Sequence, residues 1–280
     1  MKDDLMHTLI LSGFGTNCEK ETVYACARAG ATPEAVEVRH INELYSGALR
    51  LDDYRFLILI GGFLDGDDLG GARACANRFR YRRLPAGGTF FEQLRAFVQE
   101  GRLVLGVCNG FQLLVRLGLL PEADNGDPLQ RVTLTTNARG RFENRWVRLR
   151  GDPNSPCVFT RGIESIELPV RHGEGRLIGE SGALLEGLLE RKLAPLRYCL
   201  PGGVPTEEYP ANPNGSPHGI AALCNSRGTV MGMMPHPEAF NHYTNHPRWT
   251  RRSRSSGSSE DGDGLALFRN AYAFLRAQGA

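Results

Sequence analysis

One stretch of the chain, residues 103–117, constrains the fold more than any other. Leu103 to Val107 form a short run without a polar side chain, and an amphipathic pattern begins directly after Cys108. An uninterrupted apolar strand is typical of a parallel sheet whose two faces are both covered by helices. The pattern therefore predicts that Cys108 lies on a tight strand-to-helix turn, the kind of turn that presents a nucleophile above a sheet.

The first half of the chain repeats this alternation. It predicts strands at residues 8–11, 35–39, 55–60 and 103–107, and helices at residues 18–28, 89–100 and 109–117. Thr16 and Glu19 have the spacing of a capping box at the start of the first helix. Alternating strands and helices predict an α/β fold in three layers, with a mostly parallel sheet and helices on both faces.

The second half has a different character. Short strand candidates, separated by turn signals, are predicted at residues 132–135, 146–149, 163–169, 196–200, 219–223 and 229–233, and a closing helix at residues 265–277. We expect these strands to be partly antiparallel additions. No linker or repeat divides the chain, which predicts a single domain over residues 1–280. Its Ser-, Gly- and Arg-rich part predicts a mobile insertion at residues 241–264.

Composition excludes several classes of protein. No apolar run reaches the length of a membrane span. The 33 basic and 31 acidic residues nearly balance, and no basic stripe with aromatics predicts nucleic-acid binding. Five arginines within residues 73–83 form either a solvated face, which we favour, or a docking surface. Seven scattered cysteines without a Cys-x-x-Cys pair, and no secretion signal, predict a cytoplasmic protein rather than a disulfide framework or a zinc site.

A second motif far downstream gives Cys108 a chemical context. Prolines at positions 235 and 237 fix φ on either side of His236, and Glu238 follows two residues later. In an extended chain, residues i and i+2 project to one side. His236 would take the proton of the Cys108 thiol, and Glu238 would hold the imidazole ring. Taken alone, the Cys108 motif could be a buried core cysteine, and the His236 motif could be a surface turn. Taken together, the two motifs favour nucleophilic hydrolysis of an amide.

An oxyanion formed from an amide needs two N–H donors. Asn109, directly after the nucleophile, would supply one. The pair Gly61-Gly62 follows a neighbouring strand and would supply the other, because glycine lets the backbone approach closely. A plain turn is the alternative explanation of the two glycines.

These motifs together closely resemble class I glutamine amidotransferase domains, and specifically the glutaminase subunits of phosphoribosylformylglycinamidine synthases. The resemblance spans residues 8–275. Besides the segments above, it is carried by residues 15–19 (GTNCE), 66–69 (GDDL), 141–145 (RFENR), 169–175 (PVRHGEG) and 209–216 (YPANPNGS).

The resemblance implies a flavodoxin-like fold and hydrolysis of glutamine to glutamate and ammonia through a thioester. It implies no cofactor or metal in this chain, and ATP and Mg²⁺ in a partner synthetase that makes formylglycinamidine ribonucleotide for purine synthesis, with or without a small third subunit. It implies no nucleic-acid or membrane partner. The residues that it implies are the triad Cys108, His236 and Glu238, the oxyanion donors Gly62 and Asn109, and the glutamine pocket with its surroundings, Gln112, Asn137, Arg141, His172 and Glu174.

Three positions depart from the family pattern. Ala239 stands where arginine is common, Ile60 where proline often precedes the glycines, and Leu64 where serine is common. None of them removes a catalytic group. Two other functions stay open at this point: a non-catalytic regulatory subunit with a vestigial site, and an amidotransferase serving a different acceptor. A peptidase of related fold would place histidine where this chain has Asn109.

Overall fold

A six-stranded sheet forms the centre of the fold in the computed structural model, which describes residues 6–121, 129–252 and 260–278. The strands are β1 (Thr8–Ser12), β2 (Val36–His40), β3 (Phe56–Leu59), β4 (Leu103–Val107), β5 (Val132–Thr136), β6 (Glu143–Gly151), β7 (Ser165–His172), β8 (Glu174–Gly179), β9 (Leu196–Tyr198), β10 (Ala222–Cys224) and β11 (Val230–Met233). The helices are α1 (Glu19–Arg28), α2 (Ile41–Ser46), α3 (Arg73–Tyr81), α4 (Phe90–Gln99), α5 (Asn109–Arg116), α6 (Gly182–Glu190) and α7 (Leu265–Gln278).

The central sheet has the strand order β10-β11-β4-β3-β1-β2. All neighbouring strands run parallel except β10 and β11. β3, β4 and β11 are buried along their whole length, as their continuous apolar sequences require. The carboxyl ends of β4 and β11 lie side by side because Val107 is the register partner of Met233.

Helices in two groups cover the sheet. α1 packs against β1, β2 and α7, whereas α5 packs against β3, β4, β11 and α3. Two smaller antiparallel sheets, β5-β8 and β7-β6-β9, are added to this unit. The predicted α/β architecture with a mostly parallel sheet and added antiparallel strands is therefore confirmed. Two strands predicted among the additions, β10 and β11, instead belong to the central sheet, in which β11 runs parallel to β4.

The start of α1 differs from the predicted capping box. Cys18, not Thr16, is the N-cap residue, and it has a left-handed backbone conformation with φ of 72°. Thr16 donates its hydroxyl to Glu19 Oε1 at 2.6 Å and accepts the Gly13 N–H at 3.0 Å. The side chain of Thr16 therefore closes the loop before α1 rather than capping the helix backbone. The backbone of Thr16 also pairs with Gly62 in an isolated bridge.

The arginine-rich segment forms α3. Cys75, Ala76 and Phe79 face the core, and Arg78 pairs with Asp65 at 2.8 Å. Arg80 donates to the Leu117 carbonyl oxygen at 2.8 Å. These arginines fasten the helix to the rest of the fold, so the predicted solvated face describes only part of the segment.

The predicted mobile insertion is partly described. Short 3₁₀ turns occupy Tyr243–Asn245 and Trp249–Arg251, and residues 253–259 lie outside the described residues, so the mobility stays a prediction. Within the described ranges, no helix combines the length and the apolarity that crossing a bilayer requires.

Candidate active site

Cys108 occupies the turn between β4 and α5, and its backbone is strained there. Its φ of 52° and ψ of −103° fall outside the ordinary regions, while its N–H donates to the Met233 carbonyl oxygen at 2.8 Å. A Cβ on Gly110 would lie 2.0 Å from the Leu59 carbonyl oxygen, so glycine lets α5 begin hard against β3. Strained backbone of this kind accumulates at functional sites. The sequence-predicted strand-to-helix turn is present at the predicted residue.

His236 and Glu238 follow β11, the strand beside β4. His236 Nδ1 and Glu238 Oε1 are 2.6 Å apart, and the two residues are only 3% and 1% exposed. The predicted reason for their pairing was an extended chain. Instead, Pro237–Ala239 form a 3₁₀ turn, which brings the carboxylate back to the ring.

The backbone of Gly61 lies close to the side chains of both His236 and Cys108. A Cβ placed on Gly61 would lie 3.0 Å from His236 Cε1 and 3.6 Å from Cys108 Cβ. Both side chains line one cavity of about 350 Å³. Thiol, imidazole and carboxylate therefore meet at the carboxyl ends of two adjacent strands, where parallel α/β sheets bind their ligands.

The environment of His236 favours a protonated ring. Complete burial opposes the positive charge, but the Glu238 carboxylate and the nearby thiols of Cys108 and Cys18 outweigh it and raise the pKa of His236 well above its usual value. A neutral His236 ring with this raised pKa therefore readily takes up the proton that the Cys108 thiol releases.

The two candidate oxyanion donors follow two neighbouring strands: Gly62 comes after β3, and Asn109 comes after β4. Gly62 lines the cavity with φ of 117°, and a Cβ there would lie 2.5 Å from the Gly15 carbonyl oxygen, so the position requires glycine. Asn109 is the first residue of α5, where backbone N–H groups have no partner within the helix. Its side chain is turned away and donates to Gln112 Oε1 at 2.9 Å.

Three of the predicted pocket residues line the cavity: Gln112, His172 and Glu174. Gln112 donates its amide to the Glu174 carbonyl oxygen at 2.7 Å, and Glu174 Oε2 accepts the Gly71 N–H at 2.9 Å. Asp67, which sequence reasoning missed, lines the cavity too. Burial and the charge of Glu174 raise the pKa of Asp67, which identifies an acidic region of the cavity.

The other two predicted pocket residues, Asn137 and Arg141, are not among the residues that line the cavity. Asn137 instead holds the turn between β7 and β8. Its amide group donates to the carbonyl oxygens of Arg141 and His172 at 3.0 and 2.8 Å, and its Oδ1 accepts the Gly175 N–H at 3.0 Å. The side chain of Arg141 is exposed.

Asn137 also determines which ring nitrogen of His172 carries the proton. Asn137 Oδ1 lies 3.1 Å from His172 Nδ1 and can only accept, so Nδ1 carries the proton. Burial, and secondarily the charge on His236, lowers the pKa of His172 to about 3. His172 therefore enters the cavity as a neutral ring whose Nε2 is a buried acceptor without a partner among the described residues.

Several lining residues were not predicted. They are Asn17, Cys18, Glu21, Phe63, Asp67, Phe142, Arg171 and Gly173. Phe63 and Phe142 are 51% and 55% exposed and form an apolar rim. Asn17 and Cys18 follow β1, and the carboxyl end of that strand was a signal that could have placed them at the same edge as Cys108.

The comparisons with known proteins agree with this geometry. A family model described as "CobB/CobQ-like glutamine amidotransferase domain" matches residues 6–275. The chain is 41% identical over 269 residues to phosphoribosylformylglycinamidine synthase subunit PurQ of Dehalococcoides mccartyi, covering 96% of this chain and 97% of the relative. It is 42% identical over 233 residues to the subunit PurQ of Methanococcus maripaludis, covering 82% and 80%. The solved structure of PurLQS from Thermotoga maritima matches with a TM-score of 0.67 and 25% identity, covering 96% of this chain and 98% of that one.

Proposed function

Because this chain belongs to the PurQ family of glutamine amidotransferase subunits, we propose that it is the glutaminase subunit of a phosphoribosylformylglycinamidine synthase. It hydrolyses glutamine to glutamate and ammonia and supplies the ammonia for purine biosynthesis. The observation that carries the proposal is the meeting of Cys108 with the buried His236–Glu238 pair in one cavity. The family model spans nearly the whole chain, which supports one amidotransferase domain.

The first half of the reaction uses the thiol as nucleophile. His236 accepts the proton of Cys108, and the sulfur attacks the carboxamide carbon of glutamine. The carbonyl electron pair moves onto oxygen, where the N–H groups of Gly62 and Asn109 stabilise the negative charge. Glu238 holds the ring through Nδ1 and stabilises the imidazolium that forms.

The second half returns the enzyme to its starting state. The imidazolium of His236 gives its proton to the leaving nitrogen, so that ammonia departs and a glutamyl thioester remains on Cys108. A water molecule, deprotonated by the same ring, attacks the thioester and releases glutamate and the thiol. Thiol, imidazole, carboxylate and the attacking water together supply every proton and electron pair, so we propose that the reaction needs no cofactor.

The cavity suits a small zwitterion. Its volume of about 350 Å³ is within the range of small-molecule sites. We propose that the acidic region formed by Asp67 and Glu174 receives the ammonium group of glutamine, since a cation there relieves the repulsion between the two carboxylates. The neutral His172 adds an acceptor without adding positive charge. Gln112 positions Glu174 through the hydrogen bond to its carbonyl oxygen.

The proposed partners follow from the relatives. The similar structure from Thermotoga maritima is that of PurLQS, which supports assembly with a PurL-type synthetase and a small PurS-type subunit. The synthetase would use ATP and Mg²⁺ to make formylglycinamidine ribonucleotide. All seven cysteines are described, and none of them forms a disulfide, which supports a reducing cytoplasmic location.

The test compares two nitrogen sources in the assembled synthase. Cys108→Ala should abolish product formation from glutamine while leaving formation from added ammonia intact, because only the thioester step is lost. Cys199→Ala, which removes a buried thiol that does not line the cavity, is the matched control and should use both sources. A Cys108→Ala complex that still uses glutamine would refute the mechanism. If the unsubstituted complex formed product from added ammonia but not from glutamine, the result would instead support the vestigial-site alternative.

A further inference from the structure

A second cysteine lies beside the buried histidine–glutamate pair. Cys18 Sγ, a ring nitrogen of His236 and a carboxylate oxygen of Glu238 all lie within 4.8 Å of one another. Cys18 arrives from the N-cap of α1, whereas His236 and Glu238 follow β11. Among the residues that the structure describes, this is the one group of three or more such side chains close enough to hold a metal ion.

Two buried atoms of the cluster could bind an ion: Glu238 Oε2, which the proposed mechanism leaves unused, and His236 Nε2, the ring atom left to accept the Cys108 proton because Nδ1 faces Glu238. His236 Nε2 and Glu238 Oε2 are both buried and have no hydrogen-bond partner among the described residues. Orphaned buried polar atoms are costly, and each requires an explanation. Cys18 is only partly buried and lines the same cavity as His236, so an ion from solvent has a route to the cluster.

We propose that Cys18, His236 and Glu238 form an inhibitory binding site for a thiophilic divalent cation of the Zn²⁺ type. A set of one thiolate, one imidazole and one carboxylate is typical of zinc and unlike the all-oxygen sites of calcium and magnesium. Cys18 is far from His236 and Glu238 in sequence, which is why the absence of a Cys-x-x-Cys pair carries no information about this site.

The geometry requires only a local adjustment. Tetrahedral zinc with bonds of about 2.0–2.3 Å keeps its ligand atoms roughly 3.3–3.8 Å apart. A separation near the upper limit of 4.8 Å therefore needs to close by about 1 Å. The backbone of Cys18 is fixed, since its carbonyl oxygen accepts both the N–H and the hydroxyl of Thr22, at 3.0 and 2.7 Å. Rotation of the Cys18 side chain, now 3.2 Å from Asn17 Oδ1, supplies the movement.

Binding displaces protons and removes the base. The ion replaces the thiol proton of Cys18 and, when the ring is protonated, the proton on His236 Nε2, and the displaced protons go to solvent. A metal-bound imidazole is a poor proton acceptor, so His236 can no longer deprotonate Cys108. Three protein ligands leave a fourth tetrahedral position for water or for a cavity group. The site goes beyond the proposed glutaminase function, because the ion binds whether or not glutamine is hydrolysed.

Cobalt spectroscopy tests the site without any activity measurement. Co²⁺ added to the metal-free full chain should give a thiolate-to-cobalt charge-transfer band in the unsubstituted protein, in Cys108→Ala and in Cys199→Ala, but not in Cys18→Ala. Alanine makes the same demand on the backbone at this φ as cysteine does. A band that survives in Cys18→Ala, or that is lost in Cys108→Ala, would place the ion elsewhere and overturn the proposal.

Two further measurements test the site, and the first of them does not depend on how the variant folds. In the unsubstituted protein, Zn²⁺ should protect Cys18 from alkylation, as read by peptide mass spectrometry. In the assembled synthase, the Zn²⁺ concentration that halves glutamine-dependent turnover should rise more than tenfold in Cys18→Ala relative to Cys199→Ala, each compared with its own metal-free rate. Equal alkylation with and without Zn²⁺, or equal inhibition of the two variants, contradicts the site. Failure of the Cys108→Ala test above would leave these readouts unaffected.

Discussion

Replacing Glu238 by glutamine tests the electrostatic core of the site, because it removes one charge and nearly preserves the shape of the side chain. Glu238 Oε1 lies 2.6 Å from His236 Nδ1, and both groups are buried, so solvent screens their interaction little. Without the carboxylate, only the two thiols oppose the effect of burial on the ring, and the pKa of His236 falls. The glutamine amide can also donate to Nδ1, which selects the tautomer that cannot accept the thiol proton.

The expected magnitudes follow from these contacts. A positioned proton acceptor contributes about 10²–10⁴ in rate, so kcat for glutamine in the Glu238→Gln synthase should fall by roughly that factor. A hydrogen bond to a charged group contributes about 1.5–3 kcal/mol to stability. The raised pKa of folded His236 means that the folded state binds more protons than the unfolded chain. The pair's contribution is therefore fully present below about pH 6.5 and is lost as the pH rises through the raised pKa.

Two assays check this reasoning. Glutamine-dependent turnover measures kcat, and urea unfolding at about pH 6 and at a series of higher pH values measures the pH-dependent part of the stability. The unsubstituted chain should lose stability at the higher pH values relative to Glu238→Gln. Glu180→Gln, which removes an exposed carboxylate paired with Arg131, is the control for net charge. Unchanged turnover in Glu238→Gln, or identical pH dependence of unfolding in both proteins, would refute the electrostatic role of Glu238.

Two further substitutions probe how the fold positions the site. Gly61→Ala adds a methyl group 3.0 Å from His236 Cε1, so glutamine-dependent kcat should fall at least about tenfold through misalignment, measured against Gly187→Ala, whose added methyl meets no atom within 4 Å. A Gly61→Ala synthase as active as Gly187→Ala contradicts the close approach. Asn137→Ala leaves several buried groups around His172 without a partner, each costing about 1–3 kcal/mol. It should lower the thermal midpoint and raise KM for glutamine more than it lowers kcat; a change in kcat alone would contradict a positioning role.

A strand or helix could be predicted from the sequence where its pattern is complete within a few neighbouring residues. β4 and the start of α5 lie where the sequence predicted them, because a continuous apolar run and an amphipathic period are both read within a few residues. α3 was not predicted as a helix, since its buried face consists of Cys75, Ala76 and Phe79 and its arginines dominate the pattern. β8 was missed because charged residues and glycines interrupt its alternation.

The site divides in the same way. Cys108 and His236 each follow a buried apolar strand, but the sequence analysis counted β11 among the added strands, so only the chemistry of the two motifs predicted that these residues meet at one edge of the sheet. Cys18 and Asp67 follow β1 and β3 by several residues, so the strand ends indicate the edge of the sheet near which they lie, but no local pattern specifies the path of their loops into the cavity. Their places in the cavity depend on close backbone approaches such as that of Gly62 to Gly15, which only coordinates reveal.

The two buried histidines of the cavity show why one ring, and not the other, can act as the base. Both rings are almost inaccessible, so burial alone would keep both neutral. His236 has a carboxylate at Nδ1, whereas His172 has an amide oxygen there, at 2.6 and 3.1 Å respectively. The pKa of His236 is therefore raised, the pKa of His172 is lowered to about 3, and the charge on His236 itself contributes to that lowering. A single added proton therefore binds His236 rather than His172, because the partner of Nδ1 is a glutamate in the first case and an asparagine in the second.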